Sequence, residues 1–169
     1  MVLKTLRFIG ILCAALAMGL TITHDLEISG MQTLDGAEWL KVQHTFYGGF
    51  AVLGGIAEVV GLISTALLAF TLRKQRTDLT LNVVAALCFA GMLISFALGN
   101  NPLNQQIAQW TADTLPANWS AARDAWDGFH AISSGLATVA FVALLISTLR
   151  DSSTPYANRR AIAGIYQSL

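Results

Sequence analysis

The sequence predicts an all-α integral membrane protein, a four-helix bundle with a short interfacial helix in an outer loop. Three observations carry this expectation. Four apolar segments, about residues 3–23, 46–72, 79–98 and 129–149, each approach or exceed the roughly twenty residues that a helix needs to cross a bilayer core. Hydrophobic residues make up 54% of the chain and charged residues only 12%, about half the charge of a soluble domain, and the mean hydropathy is +0.58. Finally, eight of the ten basic residues fall on one side of the four segments. Four spans in 169 residues leave room for a single transmembrane domain over 1–169 and no separate soluble domain.

The first segment opens with Lys4 and Arg7 ahead of a Leu/Ala-rich stretch. That stretch is longer than the core of a signal peptide and no Ala-x-Ala site follows it, so the segment is expected to stay as a span. At its outer end Leu20, His24 and Glu27 share a helix face. The loop from His24 to Thr45 is expected outside.

The second segment, Phe46 to Leu72, contains one charge, Glu58. A carboxylate at that depth costs on the order of 3 kcal/mol, so it is expected to face a protein interior or a wet cavity and to mark a proton, ion or substrate site. His44, Gly48, Ala51, Gly55 and Glu58 form one stripe, whose small residues would let helices approach closely. His44 belongs with Glu58 only if the helix breaks near Gly48–Gly49; otherwise it is a satisfied polar tip.

The third segment runs from Leu79 to Leu98. Beyond it Asn101 is the expected cap of a short amphipathic helix with Pro102 in its first position and Leu103, Ile107 and Trp110 as its apolar stripe. Such a helix would lie on the membrane surface as a lid. Pro116 then ends the loop, and the fourth helix carries a stripe of Trp119, Arg123, Trp126 and His130, with Asp127 adjacent, before it enters the membrane. Interfacial anchoring explains several of the four Trp residues, all of which lie in outer loops.

Lys and Arg accumulate on the cytoplasmic side of short loops. Lys4, Arg7, Arg73, Lys74, Arg76, Arg150, Arg159 and Arg160 therefore place both termini in the cytoplasm of a multi-pass inner-membrane protein, with only Lys41 and Arg123 outside. The formal net charge is zero, which gives no pull toward nucleic acid; the expected partners are the bilayer, a small hydrophobic substrate and, through the Gly-rich faces, a second copy of the chain. Cys13 and Cys88 sit in different spans and read as small buried apolar residues rather than a disulfide.

At about 1.5 Å per residue, Glu58 lies roughly 22 Å from Arg73, His24 roughly 25 Å from Arg7 and His130 roughly 30 Å from Arg150. Three helices thus bring polar faces to one height in the outer half of the bundle. His24, Glu27, Glu58 and His130 are candidate ligands for a transition metal, iron or copper, as carboxylate and imidazole groups are in di-iron bundles. The same groups can equally form a metal-free proton network.

Asn101-Pro-Leu-Asn104, Trp110, then Trp119-x3-Arg123-x2-Trp126-x3-His130, preceded by His24-x2-Glu27, is similar to the small four-span membrane proteins grouped as anthrone oxygenase-like. The resemblance implies oxidation of a phenolic, anthrone-type ring carbon by O2, with Asn101, Asn104, Trp110, Arg123, Trp126 and His130 at matching positions. The expected activity is therefore a membrane oxygenase for a small aromatic substrate. Glu58 or His130 would remove a proton, Trp126 would stack on the ring, and Arg123 with Asn101 or Asn104 would hold the developing oxyanion. Two alternatives stay open: a redox subunit with haem held axially by His24 and His130 or with a bound metal, and a non-enzymatic assembly or transport module using Glu58 for proton coupling.

Overall fold

A computed structural model describes the backbone of residues 1–166 and the side chains of residues 1–150. Every regular element among the described residues is helical: α1 (Val2–Met31), α2 (Gly36–Phe46), α3 (Gly48–Thr71), α4 (Arg76–Ser95), a π turn (Phe96–Asn100), α5 (Asn101–Ile107) and α6 (Trp119–Tyr166). Four stretches are long and apolar enough to cross a membrane, Val2–Met31, Gly48–Thr71, Arg76–Ile107 and Trp119–Arg150. The molecule is a multi-pass membrane protein.

The long helices form a ring in which α1 packs on α3, α3 on α4, α4 on α6, and α6 back on α1. Their shared core is built largely of small residues, among them Ala14, Ala17, Ala57, Ala85, Ala137 and Ala140, interleaved with Leu68, Phe89, Met92 and Leu144. Small side chains bring backbones close, which is how helices gain dispersion contacts where lipid competes for apolar surface. At Gly61 of α3 the approach is closest, because a Cβ there would stand 2.3 Å from the Phe89 ring. Large apolar side chains point outward instead: Leu53, Ile56, Ile63 and Phe70 of α3, Leu87 and Ile94 of α4, Ile132 and Leu149 of α6 are exposed. These faces meet the hydrocarbon of the bilayer. Cys13 and Cys88 are free thiols buried in the core.

At one end of the bundle α3 and α4 are joined by the short turn after Leu72, and Ser147 of α6 bridges Asn82 and Asp78 of α4 with hydrogen bonds of 3.1 and 3.2 Å. Arg7 is buried here within α1 and is not a group lying free at the headgroups. The opposite end is closed by a second apolar cluster, formed by Trp39 and Leu40 of α2, Ile107 of α5 and Trp126 of α6, with Trp110, Leu115 and Trp119 packed against it.

This cap differs from the loops expected there. The region 24–45 continues α1 to Met31 and then forms α2, whose start is fixed by a capping box: the Asp35 carboxylate accepts from the Glu38 N–H at 2.9 Å, and Glu38 accepts from the Asp35 N–H at 3.2 Å. Trp39 and Trp126 are buried inside the cap and are not interfacial anchors. The short helix α5 starts at Asn101, with Asn100 and not Asn101 in the cap position, and follows α4 without a break through the π turn. Its apolar stripe, Leu103, Ile107 and Trp110, faces the α2 cluster. Of the basic residues assigned to the cytoplasmic side, Arg159 and Arg160 have side chains outside the described residues.

Candidate functional site

Between the cap and the four-helix core lies a cavity of about 320 Å³, within the size range of small-molecule sites. Its walls come from Ala17 to His24 of α1, Gln43 and His44 of α2, Tyr47, Gly48 to Glu58 of α3, Phe96, Asn104 to Ala108, and Trp126 and His130 of α6. His24, Glu58 and His130 all reach it, and so does His44, because the second span breaks at Tyr47 ahead of Gly48.

Glu58 is 8% exposed, lines the cavity, and has no hydrogen-bond or ionic partner among the described residues. A carboxyl group buried without a partner is costly. Around it the wall is mostly apolar or bare backbone. Gly48 and Gly55 have nothing within 4 Å of a built Cβ, so the small-residue stripe that was expected to pack helices together instead opens the cavity. Missing side chains make the room.

Above Glu58 the aromatic groups crowd together. The His24 ring lies 4.3 Å from His130, 4.8 Å from Trp126 and Tyr47, and 5.1 Å from Phe50, measured between centroids; its Nδ1 is buried without a hydrogen bond. The Trp126 ring lies 4.0 Å from His130, tilted by 40°, and donates its indole N–H to the Asn104 Oδ1 at 2.8 Å, which fixes the indole at the cavity edge. Asn100, turned inward by the π turn and 3% exposed, places its amide nitrogen 2.7 Å from His130 Nδ1 and 3.1 Å from the Trp126 carbonyl. Gly99 permits the approach, since a Cβ there would stand 2.4 Å from the Phe129 ring.

Tyr47 lines the cavity where it meets the groove beside α2. Its hydroxyl donates to Glu27 Oε2 at 2.5 Å, and burial, followed by that carboxylate, pushes the phenol well above its ordinary pKa. His44 donates from Nε2 to the Ile107 carbonyl at 3.1 Å, tying α2 to α5. Beyond Tyr47 and Phe50, which line both spaces, a more open groove of about 640 Å³ runs between the end of α1 and α2 past Leu26, Glu27 and Phe46.

The expected site residues thus divide. Glu58, His130, His24, Asn104 and Trp126 are at the cavity. Arg123 instead packs beside Trp119, its side chain only 13% exposed, bonding Asp124 at 3.0 Å with its guanidinium 5.1 Å from the Trp119 ring, and Asn101 accepts from Gln105 on α5; neither lines the cavity. Glu27 is on the groove side, 3.9 Å from His24 Nδ1. Among the described residues no three His, Cys, Asp or Glu side chains group as a metal site, so His24, Glu27, Glu58 and His130 do not assemble as one ligand set. Haem held by His24 and His130 does not fit either, because iron and the porphyrin plane must lie between the two axial rings and these rings touch edge to face. Asn100, Tyr47 and Phe50 were not expected. The signal for Asn100 was slight, a polar residue beside Gly99 in an apolar helix, and its inward turn depends on the π geometry.

A family model described as anthrone oxygenase matches residues 42–143, more than half of the chain. The match runs from α2 through the membrane part of α6 and takes in Glu58, Asn100, Asn104, Trp126 and His130, while His24 and Glu27 precede it. No curated protein and no solved structure matches the chain.

Proposed function

Because this chain belongs to the anthrone oxygenase family, we propose that the cavity binds a small hydroxylated or keto-aromatic compound and oxidises it with O2. The observation that carries this reading is the meeting of an unpartnered carboxyl, Glu58, with the imidazoles of His24 and His130 and the indole of Trp126 in one largely apolar cavity. An enolisable ring ketone has a CH2 whose proton can be removed if the resulting negative charge is held on oxygen. Glu58 or His130 accepts that proton. The electron-rich anion then reacts with O2: one oxygen atom becomes a new carbonyl on the ring carbon, and the other leaves as water with the two hydrogens of the CH2.

Trp126 and Phe50 offer flat apolar faces for the rings, and Asn104 holds the indole in place. The groove between α1 and α2 supports entry from the bilayer, since a hydrophobic substrate partitions there and Tyr47 and Phe50 line both groove and cavity. Eight basic residues on one side support a location in the inner membrane with both termini cytoplasmic and the cavity in the outer half.

The test is O2 uptake by purified protein in detergent with anthrone as substrate, alongside identification of the product. Anthraquinone formed faster than in protein-free detergent, and slowed to that background by Glu58→Gln, is the expected result. No acceleration by the folded wild-type protein across a set of phenolic and keto-aromatic compounds would sink the proposal. Elemental analysis of the same preparation decides whether a metal takes part.

A further inference from the structure

The contacts of Asn100 decide more than the position of His130. His130 Nδ1 stands 2.7 Å from the Asn100 amide nitrogen and 3.0 Å from the Trp126 carbonyl, and that nitrogen also lies 3.1 Å from the same carbonyl. An amide NH2 has two protons, one for each neighbour. If the amide were turned around, its oxygen would face the Trp126 carbonyl oxygen at that distance, two acceptors against each other. A proton on Nδ1 would have the Trp126 carbonyl as acceptor at 3.0 Å, but it would stand against the Asn100 NH2 at 2.7 Å, two donors against each other. In neutral His130 the proton therefore resides on Nε2, the nitrogen without a partner among the described residues, in a ring that lines the cavity.

We infer that Asn100, set by the π turn, is a positioning residue that fixes His130 as an Nε2–H donor, so that His130 holds the oxygen of a keto- or hydroxy-aromatic ligand and proton removal falls to Glu58. The first half is a property of the resting protein; the second rests on the oxidation reading above and divides its roles. The C–H bond breaks, its proton passes to the Glu58 carboxylate, and its electron pair moves onto the carbonyl oxygen, where the Nε2–H meets the developing charge. Selectivity follows as well. The cavity distinguishes an oxygen-bearing ring system from the bare hydrocarbon of the same shape.

The experiment labels the three histidines with 15N in detergent-solubilised full-length protein and reads their tautomers by NMR, with His24→Phe and His44→Phe for assignment. It also measures affinity for anthraquinone and for anthracene. His130 is expected as the Nε2–H form in the wild type and as the Nδ1–H form in Asn100→Asp, whose carboxylate only accepts. Wild-type protein is expected to favour anthraquinone over anthracene by about tenfold, the worth of one good hydrogen bond, and Asn100→Asp to lose that preference while keeping its affinity for anthracene.

An Nδ1–H form in the wild type overturns the inference, as does an unchanged anthraquinone preference in folded Asn100→Asp. If that variant does not fold, the wild-type tautomer together with loss of the preference in His130→Phe decides. Protein that shows the tautomer and the preference yet consumes no O2 upholds this inference and removes the oxidation reading; the Nδ1–H form in a protein that does oxidise anthrone does the reverse.

Discussion

At Glu58 burial and chemistry conflict, because a carboxyl group with no partner lines an apolar cavity in the membrane. Gln has nearly the same shape and retains hydrogen-bonding capacity but cannot take a proton as a base. Glu58→Gln is therefore expected to insert and melt like the parent, or slightly above it, while anthrone-dependent O2 uptake falls to background. Full activity in the variant would make Glu58 a structural residue. Tyr47 allows a second test at this scale. Its phenol is half-buried and hydrogen-bonded to Glu27, with its pKa pushed up, so the folded protein holds that proton where the unfolded chain has lost it. The stabilisation is complete below the ordinary phenol value of ~10 and is lost as pH rises beyond it. Alkaline titration followed by tyrosinate absorbance should show one of the three tyrosines ionising only as the protein unfolds, and Tyr47→Phe should remove that late component. A late component that survives in Tyr47→Phe would assign it to another residue.

Among the elements, α3 shows glycine used in two opposite ways. Gly61 lets the Phe89 ring approach to 2.3 Å of a built Cβ, whereas Gly55 faces open space on the cavity side. Gly61→Ala should overpack the α3–α4 contact and cost about 1–3 kcal/mol, visible as a lower melting temperature in detergent. Gly55→Leu should leave melting near the parent value yet fill the cavity and abolish anthracene and anthraquinone binding. Equal melting temperatures for parent and Gly61→Ala would contradict the close packing. At α2 the sequence already contained the cue, Asp35-x-x-Glu38 ahead of Trp39 and Leu40, a capping box followed by apolar residues. The helix is short and only half apolar, so composition alone did not separate it from an interfacial loop. The π turn had no such cue. One extra residue in a helical turn depends on how Gly99 and Ser95 seat against Phe129 of α6, a contact between residues some thirty positions apart in the chain.

For the whole molecule, the four Trp residues cap one end of the bundle and the turn bearing Arg73 and Lys74 closes the other. Single cysteines at Asp35, Asp113 and Gln75, all exposed, give a direct test of orientation, since native Cys13 and Cys88 are buried. Positions 35 and 113 should react with an impermeant thiol reagent from outside and position 75 only after the cytoplasmic face is opened; labelling at 75 from outside would reverse the arrangement. The number of spans, the helical class and the family resemblance were legible in the sequence by itself. Bilayer thickness sets a minimum apolar length, and 3.6-residue periodicity places His24, Glu58 and His130 on faces that can meet. Tertiary structure alone decided which polar groups share the cavity. It turned Arg123 and Asn101 away, brought Asn100 in, parted Glu27 from Glu58 and made the glycine stripe a wall rather than a seam. The physical reason is that periodicity fixes a residue's height and face on its own helix, while rotation between helices and the packing of the cap are set by side-chain volumes that meet only when the bundle closes.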